Sequence, residues 1–219
     1  MHKDMSALIA VRKGSKRIPN KNIRSFANSS LLEIKIKQLL RVEGINNIYV
    51  STDCLEMLAL AKKLGAKVEL RDPYYTSDRV PMNEVYEHLT HLVDDKHILF
   101  VHVTSPLLSD QSLQNCIDTY LSLSAEYDSL ATVHPLHEYI WCDGTAVNYD
   151  PDHHPRSQDL PNYYALNFAV NLISKESMIN RKNIVGKKFY PFVLNEIEAI
   201  DVDTMLDFKI AEFIYNERL

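Results

Sequence analysis

Two short stretches hold the residues best suited to chemistry. The first is Arg12-Lys13-Gly14-Ser15-Lys16-Arg17-Ile18-Pro19-Asn20-Lys21-Asn22, with five Lys and Arg residues and no Asp or Glu. The whole chain carries a formal net charge of -5, so this positive charge is local. Its residue types suit a polyphosphate. Arg12 offers a planar fork for phosphate oxygens, Lys16 and Lys21 mobile ammonium groups, Ser15 a hydroxyl, and Gly14 close backbone approach. By charge alone the same run also reads as a solvated basic turn. Its place directly after the apolar run Ala7-Leu8-Ile9-Ala10-Val11, a buried-strand pattern, favours the ligand loop. Neither G-x-x-x-x-G-K-[ST] nor G-x-G-x-x-G occurs among the five glycines, which disfavours a P-loop ATPase and a dinucleotide dehydrogenase.

The second stretch is Asp201-Val202-Asp203. In an extended segment, period two puts both carboxylates on one side of the chain and turns Val202 toward the core. Such a pair suits magnesium, which keeps several waters and takes one or two protein carboxylates plus substrate phosphates. The alternative is that Asp203 or Thr204 caps the last helix, which leaves Asp201 without a role.

These stretches need a scaffold, and the chain supplies one by alternating strand and helix patterns. Ser30-x-x-Glu33 reads as a capping box for a helix carrying Leu32, Ile36, Leu39 and Leu40 to Gly44. Residues 48–51 then read as a strand, Asp53 as the cap of a helix ending at Leu64-Gly65, and residues 67–70 as a third strand. Met82, Val85, Leu89, Leu92 and Val93 line a helix, residues 97–103 form an apolar strand, and Asp110 caps a helix carrying Leu113, Ile117, Tyr120 and Leu121. Strands at 130–133, 168–173 and 189–194, a short helix at 174–179 and a helix from about Thr204 to the end complete the pattern. This is an α/β chain with a mainly parallel sheet and helices on both faces, whose ligands bind beyond the strand C-terminal ends. The rhythm breaks at 134–165, a functional excursion or an oligomer arm embedded in a single domain spanning 1–219.

Composition bounds the class. With 46% hydrophobic and 24% charged residues among 219, the chain reads as a globular protein with one sizeable core and no run long enough to span a membrane. Met1 to Met5 lack a secretory pattern, so a cytoplasmic location is expected. Cys54, Cys116 and Cys142 form no C-x-x-C and read as reduced thiols. His134, His137, His153, His154 and Cys142 match no zinc spacing. A single basic loop on an acidic chain argues against nucleic acid as a partner.

The loop at 12–22, together with Leu70-Arg71, Ser77-Asp78, Thr104-Ser105-Pro106-Leu107 and Ile200-Asp201-Val202-Asp203-Thr204 in that order, resembles the CMP-sialic acid synthetases, the acylneuraminate cytidylyltransferases. The resemblance covers nearly the whole chain. It implies a Rossmann-like nucleotidyltransferase sheet, CTP as co-substrate, magnesium on Asp201 and Asp203, and a homodimer built partly by the excursion, which closes over the sugar. The charges of such a reaction put Arg12 and Lys21 at the leaving phosphates and Gly14, Ser15 and Lys16 in a triphosphate cradle, and the resemblance puts Asn22, Arg71 and Asp78 beside the nucleotide, although Arg71 and Asp78 also read as ordinary loop charge. Thr104 and Ser105 belong to the family's strand-end motif. His102 stands where the family commonly has Gln, either against substrate or as a satisfied core histidine. Arg156, Gln158 and Asn167 match the sugar side. Two family cations facing the sugar carboxylate are absent, their neighbourhoods reading Tyr139-Ile140-Trp141 and Tyr164-Ala165-Leu166.

The implied reaction is attack of an acidic sugar hydroxyl on the α-phosphate of CTP with loss of pyrophosphate, helped by positioning and electrostatics without an evident general base. The acceptor is expected to be a nonulosonic acid, with a phosphonate, phosphate or sugar 1-phosphate as the alternative. A non-catalytic nucleotide-binding subunit is the reading from another class, and the intact Asp pair speaks against it.

Overall fold

A computed structural model describes residues 4–218. Residues 1–3 and 219 lie outside that range, and with them most of the stretch read for a leader and the last position expected in the final helix. The chain runs β1 (Met5–Ala10), α1 (Leu31–Arg41), β2 (Ile48–Thr52), α2 (Leu55–Lys63), β3 (Lys67–Leu70), α3 (Met82–Thr90), β4 (His97–Val101) and α4 (Asp110–Leu121). It continues through β5 (Ser129–Leu136), β6 (Trp141–Cys142), β7 (Thr145–Ala146), β8 (Tyr163–Ser174), α5 (Lys175–Arg181), β9 (Phe189–Val193) and α6 (Met205–Glu217).

Seven strands form one sheet in the order β3-β2-β1-β4-β8-β5-β9. The apolar run of β1 is buried because neighbours flank it and both faces are covered. Ala7 and Ile9 enter one core cluster with α1, α2, α4 and α6, whereas Leu8 enters the other with α3 and α5. All pairs are parallel except those of β8, which runs antiparallel to β4 and β5. The excursion explains this, since it leaves the C-terminal end of β5 and β8 starts where it returns. On one side of β1 lies β2 and on the other β4, so the chain order reverses there and opens a crevice beyond their C-terminal ends.

Several local expectations change. Ser30 caps α1 by accepting from Glu33 N at 3.3 Å, but the Glu33 carboxylate pairs with Lys37 at 2.7 Å, four residues along the same helix. Leu40 is exposed, being out of phase with the buried face of α1, Leu121 is exposed at the last position of α4, and Met82 at the first position of α3. Asp53 does not cap α2, whose N-cap is Cys54 without a side-chain bond. Ser109, not Asp110, caps α4, and Asp110 is drawn instead to Arg41 at 2.5 and 2.9 Å. The last helix is capped by a reciprocal Thr204 and Asp207 box, to which Asp203 adds only its backbone N, donating to Asp207 Oδ2 at 3.2 Å, so its carboxylate takes no part in capping.

The excursion is partly sheet. Beyond a register shift, β5 and β8 continue as a two-stranded extension from Val133 opposite Leu166 to Leu136 opposite Tyr163, and β6 pairs with β7 near its tip. At the shift, Asn167 is buried, with its Oδ1 accepting from Thr132 Oγ1 at 2.6 Å and from Ala169 N at 3.2 Å. Phe168 takes a positive φ of 56°, a left-handed conformation that bulges the strand toward the crevice.

Candidate active site

The loop after β1 is fixed by its own sequence. Ile18 is fully buried and anchors it to the core. Asp53 accepts from Lys13 N at 2.8 Å, so the residue expected to cap a helix holds the loop instead. Asn22 donates to Arg12 O at 3.1 Å and closes the loop at its base. Across the crevice, Val202 is buried and its N donates to Thr104 O at 2.8 Å, which ties the Asp201-Val202-Asp203 segment to the chain beyond β4. Lys21 joins the two stretches by donating to Val202 O at 2.6 Å. Arg17, given no role by the sequence reading, pairs with Asp203 at 2.9 Å, and Lys21 stands 3.5 Å from the same oxygen.

Two adjoining cavities open at this crevice. The first, of about 390 Å³, is lined by Arg12, Ser15, Lys16, Arg17, Lys21 and Asn22 on one side and by His102, Val103 and Thr104 on the other. The second, of about 340 Å³, is bounded by Arg71, Tyr75, Asp78, Val80, Tyr86 and Phe100. Arg12 and His102 line both. One carboxylate, Asp78, bridges Arg12 at 2.8 Å and Lys16 at 2.6 Å, and those two cations, Lys16 first, hold its carboxyl below the usual range. The loop cations therefore already grip an anion. Triphosphate oxygens can take the same place.

The Asp pair is asymmetric. Asp203 is half-exposed and ion-paired. Asp201 is partly buried with its Oδ1 lacking a hydrogen-bond partner, and its carboxyl is pushed above the ordinary value by burial, against the pull of the Thr104 hydroxyl and with the help of Asp203. An orphaned buried carboxylate oxygen beside a second carboxylate is a donor set that suits a hard cation. Among the described residues, no group of three or more His, Cys, Asp and Glu forms a metal cluster, and all three cysteines are free.

His102 stacks on Phe168, with ring centroids 5.9 Å apart and planes 19° from parallel, so the β8 bulge braces it. Burial pushes its pKa down to about 4, with Lys21 and Lys35 adding to the shift. It is a neutral imidazole at physiological pH. Arg71 is buried and donates to the carbonyls of Val11 and Ser51, lashing β1 and β2 together at the floor of the second cavity. Ser105 is buried with its hydroxyl unpartnered. Gly14 lines neither cavity, and a Cβ built there meets nothing within 4 Å, so folding does not require a glycine at that position.

Arg156 and Gln158 are not brought to the crevice. Arg156 is exposed and pairs with Asp159 at 2.7 Å, and neither residue lines either cavity. Asn167 acts within the bulge, behind Phe168. Sequence reasoning passed over Lys35, which is fully buried in α1. The signal was present: Lys35 follows Leu32 by three positions and precedes Leu39 by four, in the apolar phase of the helix.

The model of a family described as "Cytidylyltransferase" matches residues 6–197. The chain belongs to the cytidylyltransferase family. Among its relatives, the pseudaminic acid cytidylyltransferase of Campylobacter jejuni is 27% identical, covering 95% of this chain and 94% of the relative. The post-translational flagellin modification protein B of Campylobacter coli is 25% identical over 96% and 94%. The zebrafish (Danio rerio) N-acylneuraminate cytidylyltransferase A is 28% identical over 95% of this chain but only 50% of its own length. A solved CMP:2-keto-3-deoxy-manno-octonic acid synthetase complexed with CTP superposes with a TM-score of 0.73 over 98% of this chain and 99% of that one; at 13% identity the likeness shows the fold alone. The Rossmann-like nucleotidyltransferase architecture and the family expected from the motifs are both borne out.

Proposed function

We propose that this cytidylyltransferase joins a nonulosonic acid to CMP, using CTP and releasing pyrophosphate. The observation that carries the reading is the cation loop lining a crevice at the reversal point of the sheet while two of its cations, Arg17 and Lys21, reach Asp203 of the Asp201-Val202-Asp203 segment. The names of the relatives, which span pseudaminic, legionaminic and N-acylneuraminic acid activation, support the acceptor class.

In this reading the triphosphate lies along the first cavity. Arg12, Lys16 and Lys21 hold its β- and γ-phosphates, displacing the Asp78 carboxylate, while Ser15 presents a hydroxyl donor. The second cavity, over Arg71 and beside Tyr75 and Tyr86, takes the nucleoside. The acceptor hydroxyl attacks the α-phosphorus; the new O–P bond forms as the bond to the β-phosphate oxygen breaks, and the hydroxyl proton leaves to solvent. Negative charge moves onto pyrophosphate, where fixed cations stabilise it more in the transition state than in the ground state. Asp201 and Asp203 would hold magnesium, which when bound offsets triphosphate charge and polarises the phosphoryl oxygens. His102, neutral and braced by Phe168, can hydrogen-bond the acceptor but is a poor base at a pKa of about 4.

The arm at 134–165 exposes Trp141, Val147, Tyr163 and Tyr164. An aromatic surface of this kind suits a homodimer interface, and the same arm, carrying Arg156 and Gln158, belongs with sugar recognition in a domain otherwise devoted to the nucleotide. A cytoplasmic setting, where nucleoside triphosphates are made, fits this chemistry. Among the described residues no helix is long and apolar enough to cross a membrane. The test is pyrophosphate release from each of ATP, CTP, GTP and UTP against a panel of acid sugars. CTP with a nonulosonic acid is expected to lead, and preference for another nucleotide would refute the reading.

A further inference from the structure

Lys35 is fully buried in α1. Its Nζ donates to Gln38 Oε1 at 2.7 Å and to Ser105 O at 3.1 Å, and among the described residues no carboxylate touches it. Gln38 in turn donates to Leu108 O at 2.7 Å and to Asp110 Oδ1 at 3.2 Å, and Asp110 is held by Arg41. A buried ammonium thus pins the 104–108 turn from beneath. That turn carries Thr104, which lines the first cavity and receives Val202 N, so the turn also sets the Asp pair. A Lys buried away from any direct counter-ion is costly unless something offsets it.

We propose that Lys35 is a positioning residue that holds the 104–105 turn under the crevice and whose buried charge attracts the anions bound above it. The proposal rests on reading the crevice as a nucleoside triphosphate site. It explains the missing counter-ion: the partner for this charge is the ligand. The charged and titratable groups facing Lys35 are Asp110 from α4, itself neutralised by Arg41, and His102 beyond β4, whose proton affinity the Lys35 charge lowers. Burial pushes the Lys35 pKa down to about 7, with Asp110 resisting, so a polyanion arriving above it has a proton to draw in. Lys35 would supply positive potential without an exposed donor.

The experiment is calorimetric titration of wild type and Lys35→Met, a near-isosteric neutral change, with CTP and with inorganic tripolyphosphate, each at pH 8 in two buffers of different ionisation enthalpy. Wild type is expected to take up protons on binding either ligand. Lys35→Met is expected to bind both roughly tenfold more weakly, with that uptake lost and its melting temperature little changed. Lys35→Gln, with a shorter polar side chain, should behave in the same way and serves if the Met variant does not fold. Wild-type affinity in either folded variant, or no proton uptake by wild type, would overturn the role of Lys35 while leaving the nucleotide site standing. If wild type bound tripolyphosphate well and CTP no better, the nucleotide reading would fail while a tripolyphosphate defect in the variants still supported Lys35.

Discussion

Replacing Asp201 with Asn separates a metal ligand from a structural residue, because the structure gives the two roles opposite signs. The carboxylate is partly buried, one oxygen has no hydrogen-bond partner, and burial together with Asp203 raises its pKa. An unsatisfied buried polar group costs roughly 1–3 kcal/mol. Neutralising it in Asp201→Asn should leave stability unchanged or raise it by about 1 kcal/mol, a shift of roughly 2–4 °C in Tm for a chain of this size. Catalysis should move the other way. Loss of a metal ligand removes several kcal/mol of transition-state stabilisation, a fall of roughly 10² to 10⁴ in turnover. The assay pairs thermal melts with magnesium titrations of pyrophosphate release. A variant that melted several degrees lower yet turned over at the wild-type rate would refute the reasoning and make Asp201 structural.

Three further outcomes are expected. Arg12→Ala should weaken CTP binding by about ten- to a hundredfold, the worth of a charge-assisted bond of roughly 1.5–3 kcal/mol, and Arg12→Lys should recover only part of it because a point charge does not reproduce the planar fork; calorimetry checks both. His102 has a folded pKa depressed from 6.5 to about 4, so the unfolded chain takes up a proton between these values before the native chain does, and stability is lost as pH falls through that window. The loss should reach about 3 kcal/mol at most and disappear in His102→Gln, which acid unfolding of the two proteins would show, whereas identical pH profiles would contradict it. N-acetylneuraminic acid should be a poor acceptor, because Tyr139-Ile140-Trp141 and Tyr164-Ala165-Leu166, which the resemblance to the sialate synthetases sets toward the sugar carboxylate, carry no cation; kcat/KM across a panel of acid sugars tests this, and N-acetylneuraminic acid as the best substrate would contradict it.

The parts legible in sequence were those whose signal is local. The apolar run of β1 and the charge of the loop at 12–22 mark a buried strand feeding a basic loop, and Thr204 marks the start of α6. The roles of single polar residues were harder to read, because a side chain near a helix start has several partners to choose from. Asp53 and Asp110 both stand where a cap fits, yet one holds the Lys13 amide and the other Arg41, partners 40 and 69 positions away in sequence. The antiparallel direction of β8 was equally hidden, since it follows from where the excursion ends and not from any pattern within the strand. Arg17 and Lys35 were passed over for opposite reasons. Arg17 was one cation among several, and Lys35 sat in an apolar helix phase where a charge is not expected to stay.

The most direct test of the account is the identity of the product formed from CTP and a nonulosonic acid such as pseudaminic acid, read by mass spectrometry and phosphorus NMR. The account requires a sugar carrying one phosphate, linked as CMP, with one pyrophosphate released per product. A product retaining two phosphates, which would mean a sugar 1-phosphate acceptor, or CTP left intact with every acid offered, would contradict it.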